Sequence, residues 1–394
     1  MKYIDITSPV ALDKCKEYDL QAIKKLFEGQ FSRLIADGDF FKNKKVVIKP
    51  NLLMKASPND AVTSHPIVVE AIIEVLKSYS PFSITLAESP GGPYSQTTLK
   101  IIYSSTGMSQ VAEKTGININ YDTSFETVSY PEGKVCKSFD IITPILEADI
   151  IVDICKLKTH SLTTMSGAVK NLFGTIPGIH KFEMHTRFKD LSVFEPMLVD
   201  LCAYHCSRTP VISVCDAVYG MEGNGPSGGD VRNYGLLLSS LNPFNLDSVC
   251  SEILGIENTV GFIEEGKRRG FCPKSTKDIT VLGDNTDDCK IDNVRLPDTK
   301  SLWFLKNLPT MFGGRLNKFF EPKPIINKNK CIGCGECVRS CPASTITLIS
   351  RDKKSSRKIA KINPDKCIKC YCCQELCPIR AVKIKNNPIF KILK

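Results

Sequence analysis

Eight cysteines near the C-terminal end have the spacing of iron–sulfur cluster ligands. The pattern C-x2-C-x2-C-x3-C-P occurs twice, from Cys331 to Pro342 and from Cys367 to Pro378. Three cysteines of each run surround one cubane cluster, and the fourth reaches the cluster of the other run. The sequence therefore predicts two 4Fe-4S clusters. The predicted ligands are Cys331, Cys334, Cys337 and Cys377 for cluster 1, and Cys341, Cys367, Cys370 and Cys373 for cluster 2.

Zinc is the plainest alternative, because paired C-x2-C units also build structural zinc sites. A zinc site closes with four ligands and needs neither a third C-x2-C step nor a Cys-Pro ending, so the exact duplication favours clusters. Disulfides are disfavoured by the intracellular character of the chain, and Cys372 is predicted to be a spare thiol. The segment from Pro324 to Lys385 resembles the bacterial-type ferredoxin with two 4Fe-4S clusters, although its spacer from Ser350 to Lys366 is long and basic.

Composition indicates an ordinary globular protein. The chain has 394 residues, of which 42% are hydrophobic and 24% are charged, and this length predicts two or three folding units. No apolar stretch is long enough to span a membrane, and the start MKYIDITSPV lacks the features of a secretory signal. We expect a cytoplasmic protein. Because accessible clusters are damaged by oxygen, we expect an anaerobic or microaerobic interior.

Positive charge is concentrated at the C-terminal end. Residues 323–394 contain 17 Lys and Arg against 4 Asp and Glu, a net +13, whereas the whole chain carries +10 and the remainder therefore −3. Two oxidised clusters would remove about 4 units. The domain stays basic and suits an acidic electron donor or acceptor protein, such as a flavodoxin or an acidic ferredoxin. Nucleic acid is disfavoured, since no recognition motif or interleaved aromatics occur; a solvated basic face is the plain alternative.

Strand-like and helix-like segments alternate through most of the chain. KKVVIKPNLL, SITLAES, ADIIVDIC and PVISVCDAV have the length and branching of buried strands, and Asp19 to Ala36 has helical periodicity. A further helix is predicted to start with Thr63 or Ser64 as N-cap, before Pro66. The alternation predicts a mostly parallel, doubly wound, Rossmann-like α/β sheet, in one body or two lobes. We predict a lead-in helix region (1–44), an α/β domain (45–297), a linker (298–323) and a small α+β ferredoxin domain with a basic tail (324–394).

Polar residues gather after the predicted strands, where open α/β sheets bind ligands. Lys156, Lys158 and His160 alternate and would share one strand face. Ser161 to Thr164 could cap the next helix, whose amides could hold an anion, and His180 and His185 follow closely. These features predict a site for a carboxylate or phosphate. The candidate catalytic residues are Lys158, His160 and Glu88, and the candidates for binding the anion are Lys49, Asn51, Lys156, Lys170, Asn171, Glu222 and Asn224.

Each of these features has a simpler explanation. Lys156 and Lys158 could form an exposed strand edge, Glu88 a turn carboxylate, and His65 only a helix start. His180 and His185 could be ordinary core or surface residues. Cys202 and Cys206, with His205 between them, could be metal ligands but resemble buried thiols more closely. No G-x-G-x-x-G or G-x-x-x-x-G-K-[ST] motif occurs, so nicotinamide or nucleoside triphosphate binding is not supported.

Five motifs between Lys45 and Gly283 together resemble the domain-of-unknown-function 362 family. They are KPNLL, TSHP, ESPGG, KLKTH with the following GAVKNLFGTIPG, and DAVYGMEGNGPSGG. Members of that family often carry a C-terminal ferredoxin unit. The resemblance implies a cytoplasmic iron–sulfur protein of anaerobic bacteria or archaea, and it implies no particular reaction.

Three functions remain open from the sequence. The first is an oxidoreductase, in which the clusters pass low-potential electrons to an anionic ligand held by Lys49, Lys156, Lys158, His160 and Lys170, with Glu88 or His160 as proton donor. The second is a non-catalytic ferredoxin that serves a partner enzyme. The third is a redox-sensing module that binds nucleic acid. The sequence contains no flavin motif to mediate two-electron chemistry.

Overall fold

The computed structural model describes residues 3–299, 322–351 and 357–385. The predicted linker (298–323) and the end of the basic tail lie almost entirely outside these ranges. None of the helices in these ranges has the length and apolar composition of a membrane-spanning segment.

A mixed sheet of nine strands, counted over the described residues, forms the α/β body. The strands of the body are β1 (Val10–Lys14), β2 (Lys45–Pro50), β3 (Ser83–Leu86), β4 (Asn118–Ile119), β5 (Phe125–Ser129), β6 (Ser138–Ile142), β7 (Ile150–His160), β8 (Thr164–Ser166), β9 (Val211–Glu222), β10 (Asp230–Ser240) and β11 (Val281–Gly283). The sheet order is β11-β1-β10-β9-β7-β2-β3-β4, with β8 on β7, whereas β5 and β6 pair separately.

Most neighbouring strands in this sheet are parallel, which confirms the predicted fold class. The pairs β1/β11, β2/β3, β2/β7, β3/β4 and β7/β9 are parallel. The pairs β1/β10, β9/β10 and β7/β8 are antiparallel. The body has one continuous sheet, not two lobes. Because β1 lies inside it, the region predicted as a lead-in helix region (1–44) contributes a strand to the sheet as well as the predicted helix, α1 (Leu20–Leu34).

Helices cover both faces of the sheet. They are α1 (Leu20–Leu34), α2 (Pro66–Ser78), α3 (Gln96–Ser105), α4 (Met108–Thr115), α5 (Thr143–Leu146), α6 (Ala168–Asn171), α7 (His180–Arg187), α8 (Leu191–Arg208), α9 (Pro243–Ile253) and α10 (Gly261–Arg268). Alternate residues of β7 enter different cores, since Ile151 and Cys155 pack on one face and Val152 and Ile154 on the other. A strand buried on both faces explains its continuous apolar sequence.

Helix α2 begins one residue later than the sequence predicts. Its N-cap is His65, whose Nδ1 accepts a hydrogen bond from the Ile67 amide at 3.3 Å, and Pro66 follows at the first helical position. Thr63 and Ser64 are therefore not the cap. The helix-start explanation of His65 is correct.

The helix after β7 does not have the predicted cap. The chain turns back into β8, and α6 starts at Ala168, so Ser161 to Thr164 do not cap it. The carboxylate of Asp247 accepts hydrogen bonds from the amides of Ala168 (2.7 Å) and Val169 (2.9 Å). Gly167 allows this approach, because a Cβ there would lie 2.1 Å from the carboxylate. The group that accepts these amide hydrogen bonds at the helix start is thus the protein's own carboxyl side chain.

The ferredoxin domain contains two similar halves. Its elements are β12 (Lys323–Ile326), α11 (Glu336–Arg339), β13 (Ile346–Ser350), β14 (Lys358–Ile362), α12 (Cys372–Glu375) and β15 (Val382–Lys385). Strand β12 pairs with β15, and β13 with β14. Equivalent positions of the two cysteine runs adopt positive φ: Gly333 and Lys369, Gly335 and Tyr371, Ser344 and Arg380. The two cysteine runs therefore share backbone conformation at these positions as well as cysteine spacing.

Candidate functional site

A polar cavity lies between the ends of the central strands and the ferredoxin domain. The space open to the centre of a water molecule is about 80 Å³, enough for a small ligand or several waters. The body contributes a wall of charged, polar and aromatic side chains: Lys49, Asn51, Glu88, Ser89, Lys158, His160, Lys170, Asn171, Phe173, Lys181 and His185. The ferredoxin domain closes it with Cys372, Glu375 and Leu376.

Lys49 and Glu88 form a buried ion pair at the ends of β2 and β3. Lys49 Nζ lies 2.7 Å from Glu88 Oε2 and also donates to the carbonyl of Pro50 at 3.1 Å. Burial raises the pKa of Glu88 above its usual range, while the charges of Lys49 and Lys181 oppose the shift. Gly174 packs directly on this pair, because a Cβ there would lie 2.3 Å from Glu88 Oε1. The GTIPG sequence thus makes room for the ion pair.

A chain of hydrogen bonds leads from Lys158 in the cavity into the core. Lys158 Nζ donates to Asn51 Oδ1 (2.8 Å), Asn51 Nδ2 donates to Asn171 Oδ1 (2.9 Å), and Asn171 Nδ2 donates to Asp153 Oδ1 (2.8 Å). Lys158 also donates to the carbonyl of Val62 at 2.6 Å. Burial raises the pKa of Asp153 to about 8. The chain fixes the orientation of both amides and of the Lys158 amine.

Two more lysines line the cavity. Lys181, in α7, donates to the carbonyl and hydroxyl oxygens of Ser89 and to the carbonyl of Pro90. Burial lowers its pKa to about 7. Lys170, in α6, lies 5.7 Å above the ring of Phe173, and burial lowers its pKa as well. Four lysine side chains therefore converge on one small cavity.

Three of the predicted anion-binding residues lie outside the cavity. Lys156 pairs with Asp216 at 3.0 Å and donates to the hydroxyl of Tyr18 at 2.7 Å. The β7/β9 register shifts between Lys156 and Lys158, so the two lysines have different surroundings. Glu222 pairs with two arginines, Arg232 (2.8 Å) and Arg295 (2.7 Å). Asn224 exchanges hydrogen bonds with Asp298.

The histidines separate into different roles. His160 Nδ1 accepts hydrogen bonds from the amides of Leu162 (3.0 Å) and Thr163 (3.3 Å), so its other nitrogen faces the ferredoxin domain. His185 lines the cavity and stacks on Phe194, and burial lowers its pKa to about 3. His180 does not line the cavity; its Nδ1 lies 2.7 Å from Asp140 Oδ2. Cys202 and Cys206 are buried in the core, as the thiol interpretation predicts.

The glycine-rich loops receive the ferredoxin domain. Leu376 packs on Gly91, where a Cβ would lie 2.8 Å from Leu376 Cδ2. Ser227 donates to the carbonyl of Glu375 at 2.5 Å, and Gln374 Nε2 donates to the carbonyl of Asn224 at 2.7 Å. The GNGPSGG and ESPGG sequences therefore form the surface on which α12 and Leu376 dock.

The eight cysteines surround two separate cavities. One is lined by Cys331, Cys334, Cys337 and Cys377, and the other by Cys341, Cys367, Cys370 and Cys373. This is the grouping that the spacing predicts. Backbone amides also donate to sulfur atoms, from Thr345 to Cys341 (3.3 Å), from Ala381 to Cys377 (3.2 Å) and from Ala360 to Cys331 (3.4 Å). Amide donors of this kind stabilise cluster thiolates, so the residues present fit two cubanes.

Sequence reasoning missed several residues of the cavity. Lys181 and Phe173 follow no predicted strand, and Glu375 and Leu376 belong to the other domain. The glycine-rich sequences ESPGG and GNGPSGG could have indicated a close contact with a second surface, but that contact is visible only once the domains are docked. Lys181 carries no sequence signal of this kind.

Comparisons with known proteins agree with this architecture. Residues 46–252 match the model of the domain of unknown function DUF362, and residues 330–381 match that of a 4Fe-4S dicluster domain. A thylakoid-associated protein of Synechocystis sp. is 28% identical over 304 residues, which cover 73% of this chain and 88% of that protein.

Two solved structures have partial similarity to the chain. A crystal structure of a Thermotoga maritima protein aligns with a TM-score of 0.35, 11% identity and 61% of this chain. The lactate racemase apoprotein of Thermoanaerobacterium thermosaccharolyticum aligns with a TM-score of 0.39, 14% identity and 64% of this chain. The alignments span 60% and 58% of those chains, less than two thirds of their length.

Proposed function

The chain belongs to the family of the domain of unknown function DUF362, and we propose that it passes electrons from its ferredoxin domain to a small anionic ligand in the cavity between the domains. The thiolates of the eight cysteines would hold two 4Fe-4S clusters, which supply one-electron transfer when bound.

One observation carries the proposal: a single short helix belongs to both sites. Helix α12 contains Cys373, a predicted ligand of cluster 2, and its Cys372 and Glu375 form a wall of the cavity. Cys370, another predicted ligand of that cluster, packs against the apolar group of Phe182, Cys372 and Leu376. A ligand in the cavity would therefore contact the same helix that carries Cys373, a predicted ligand of cluster 2.

The charges of the cavity favour an anion. Lys49, Lys158, Lys170 and Lys181 converge there, whereas the carboxylates lining it are Glu88 and Glu375. A buried carboxylate or phosphate would gain charge-assisted hydrogen bonds in a setting that excludes water. His160 and Glu88 remain the proposed proton donors, and both line the cavity. Lys156, which pairs with Asp216, is not part of this proposal.

The loop of the first cysteine run offers a surface where an acidic protein could exchange electrons. Cys334 is exposed, and 56% of Ile332 is exposed beside it. Arg339 donates to the carbonyl of Cys334 at 3.3 Å, and Arg357 to that of Cys331 at 2.8 Å. Ile332 is thus an apolar tip, and Arg339 and Arg357 form a basic rim around it. This combination suits an acidic electron carrier. We propose cluster 1 as the outer cluster and cluster 2 as the inner one.

A binding experiment on the anaerobically reconstituted protein tests the proposal. A panel of small carboxylates and phosphates is added to the dithionite-reduced protein, and the electron paramagnetic resonance spectrum and its loss on reoxidation are followed. At least one anion should shift the signal of one cluster and accelerate reoxidation. Lys170→Gln should weaken this response, whereas Lys330→Gln, at an exposed position of the ferredoxin domain, should not.

Two outcomes separate the alternatives. Cluster signals that respond to no anion in the panel would mean that the cavity does not accept electrons from the clusters, and the proposal would be wrong. An unchanged response in Lys170→Gln would place the anion elsewhere. The interpretation as a ferredoxin for a partner enzyme docked at the strand ends is less well supported, because α12 already occupies that surface.

A further inference from the structure

The contacts of Lys158 differ from those of Lys49 and Lys156. Its two contacts are neutral oxygens, Asn51 Oδ1 at 2.8 Å and the carbonyl of Val62 at 2.6 Å. Lys49, by contrast, faces the carboxylate of Glu88, and Lys156 faces that of Asp216. A carboxylate stabilises an ammonium ion, whereas neutral oxygens in a buried site do so far less.

The number of hydrogen-bond acceptors around Lys158 also fits a neutral amine. A neutral amine has two N–H bonds and one lone pair, and Lys158 has two acceptors. Both hydrogens are then used, and one position on the nitrogen remains. Lys158 lines the cavity, so this position is available to a ligand there. Lys181 differs, because it has three oxygen neighbours on Ser89 and Pro90.

Burial and nearby positive charges also favour the neutral amine form of Lys158. Burial, together with the positive charges of Lys156 and Lys170, lowers the pKa of Lys158 to about 7, whereas the charge of Glu375 opposes this shift. A large fraction of this side chain is therefore the free amine near neutral pH. Buried lysines beside other cations are the type that forms Schiff bases with carbonyl compounds.

We propose that Lys158 forms a Schiff base with the carbonyl group of a small oxo acid, an inference that rests on the proposed anion site. The Lys158 nitrogen would bond to the carbonyl carbon, the carbonyl oxygen would leave as water with the two amine protons, and an imine would remain. No oxidant or reductant is needed for this step. Lys170 and Lys49 would bind the carboxylate of the same molecule.

Reductive trapping on the metal-loaded protein tests the inference. Glyoxylate is the probe, because it is a small oxo acid, and cyanoborohydride converts its imine to a stable carboxymethyl amine. Peptide mass spectrometry then compares lysines within one sample. Labelling of Lys158 should be at least tenfold faster at neutral pH than that of Lys49, which lines the same cavity but faces Glu88. Equal labelling of these two lysines would overturn the inference.

The variant Asn51→Asp provides a matched control that keeps the amine. It places a carboxylate where Asn51 Oδ1 now lies, so the ammonium form of Lys158 gains a partner and labelling at neutral pH should fall several-fold. Unchanged labelling in this variant would contradict the role assigned to the neutral acceptors. Because the first comparison uses the wild-type protein, a variant that folds poorly does not decide the result.

Calorimetric titration with glyoxylate distinguishes the two proposals. If glyoxylate binds to the wild-type protein and Lys170→Gln weakens binding, but Lys158 is not trapped, the Schiff base is wrong and the anion site stands. If trapping occurs but the reduced clusters show no response to any anion, the amine is reactive and the proposed electron transfer is wrong. If glyoxylate does not bind, the assignment of oxo acids to this cavity is wrong.

Discussion

His160 Nε2 lies 3.2 Å from Glu375 Oε1, so the end of β7 contacts the ferredoxin domain directly. Both side chains are buried and both line the cavity. The two domains therefore share one site, and its geometry depends on how firmly α12 is docked. Leu376 makes an apolar contribution to docking, because it packs on Phe182 and Gly91.

Leu376→Ala should loosen the ferredoxin domain while both cluster sites stay intact. Removing a buried leucine side chain costs about 2–5 kcal/mol, and here the loss falls on the domain interface. Amide hydrogen exchange at Ser161, whose N–H donates to the carbonyl of Gly225, should accelerate. Leu348→Ala is the control, because 37% of Leu348 is exposed in the same domain. Equal exchange rates in the two variants would show that Leu376 does not hold the interface.

Cluster content should depend on the predicted ligands and not on Cys372. Anaerobic reconstitution should give roughly eight iron and eight sulfide per chain. Cys370→Ala should reduce this content, since it removes a predicted ligand of cluster 2. Cys372→Ala, two residues away, should retain it. Analysis of iron, sulfide and zinc tests this assignment of the cluster ligands. Zinc without sulfide in the wild-type protein would contradict it, and so would a loss of iron in Cys372→Ala.

The motifs that carry chemistry could be predicted from the sequence because their spacing is local. The two cysteine runs fix their own backbone, with positive φ at equivalent positions such as Gly335 and Tyr371. Lys158 lies near the end of buried strand β7 and Asn51 directly follows β2, and adjacent parallel strands bring their ends together. The fold class followed from the same alternation.

Long-range partners could not be predicted. Asp247, far along the chain, replaces the local cap expected for α6. Lys156 and Lys158 are two residues apart on one strand, which predicted a shared strand face and a shared role. The β7/β9 register shifts between them, and the two side chains have different surroundings. Strand β1 was missed because its only signal is a short apolar run, and the docking of α12 depends on two domains meeting. The predicted cytoplasmic location stays a prediction.

Gly174→Ala should destabilise the body by disrupting the Lys49–Glu88 pair. The new Cβ would lie 2.3 Å from Glu88 Oε1 and 2.6 Å from Lys49 Nζ, so these buried side chains must shift, and we expect the ion pair to be disrupted. Breaking a buried ion pair costs about 3–5 kcal/mol. Gly29→Ala is the control, because no atom lies within 4 Å of its Cβ position and alanine favours the helix. Urea unfolding followed by circular dichroism should show a lower midpoint for Gly174→Ala alone.

The stability of the body should depend on pH through Lys158. Burial lowers its pKa to about 7 in the folded protein, below the value of about 10.4 in an unfolded chain. Between these values the unfolded state binds more protons, so the free energy of unfolding rises with pH. The contribution is lost in Lys158→Met, whose slope in this window should be smaller by up to about 1.4 kcal/mol per pH unit. Lys330→Met, at an exposed site, should keep the wild-type slope, and equal slopes in the two variants would contradict the shift.

Electron exchange with an acidic carrier should weaken when the basic rim around Cys334 is reversed. Lys358 lies against the same loop, since its carbonyl would be 2.3 Å from a Cβ at Gly333. Lys358→Glu should slow reduction by an acidic flavodoxin at low salt by about an order of magnitude, because steering by complementary charge acts mainly on the association rate. Added salt should reduce the difference, since it screens surface charges. Lys25→Glu, on α1, makes the same charge change away from the loop. If both variants slow the reaction equally, net charge rather than this surface guides the partner, and the assignment of cluster 1 as the outer cluster loses its support.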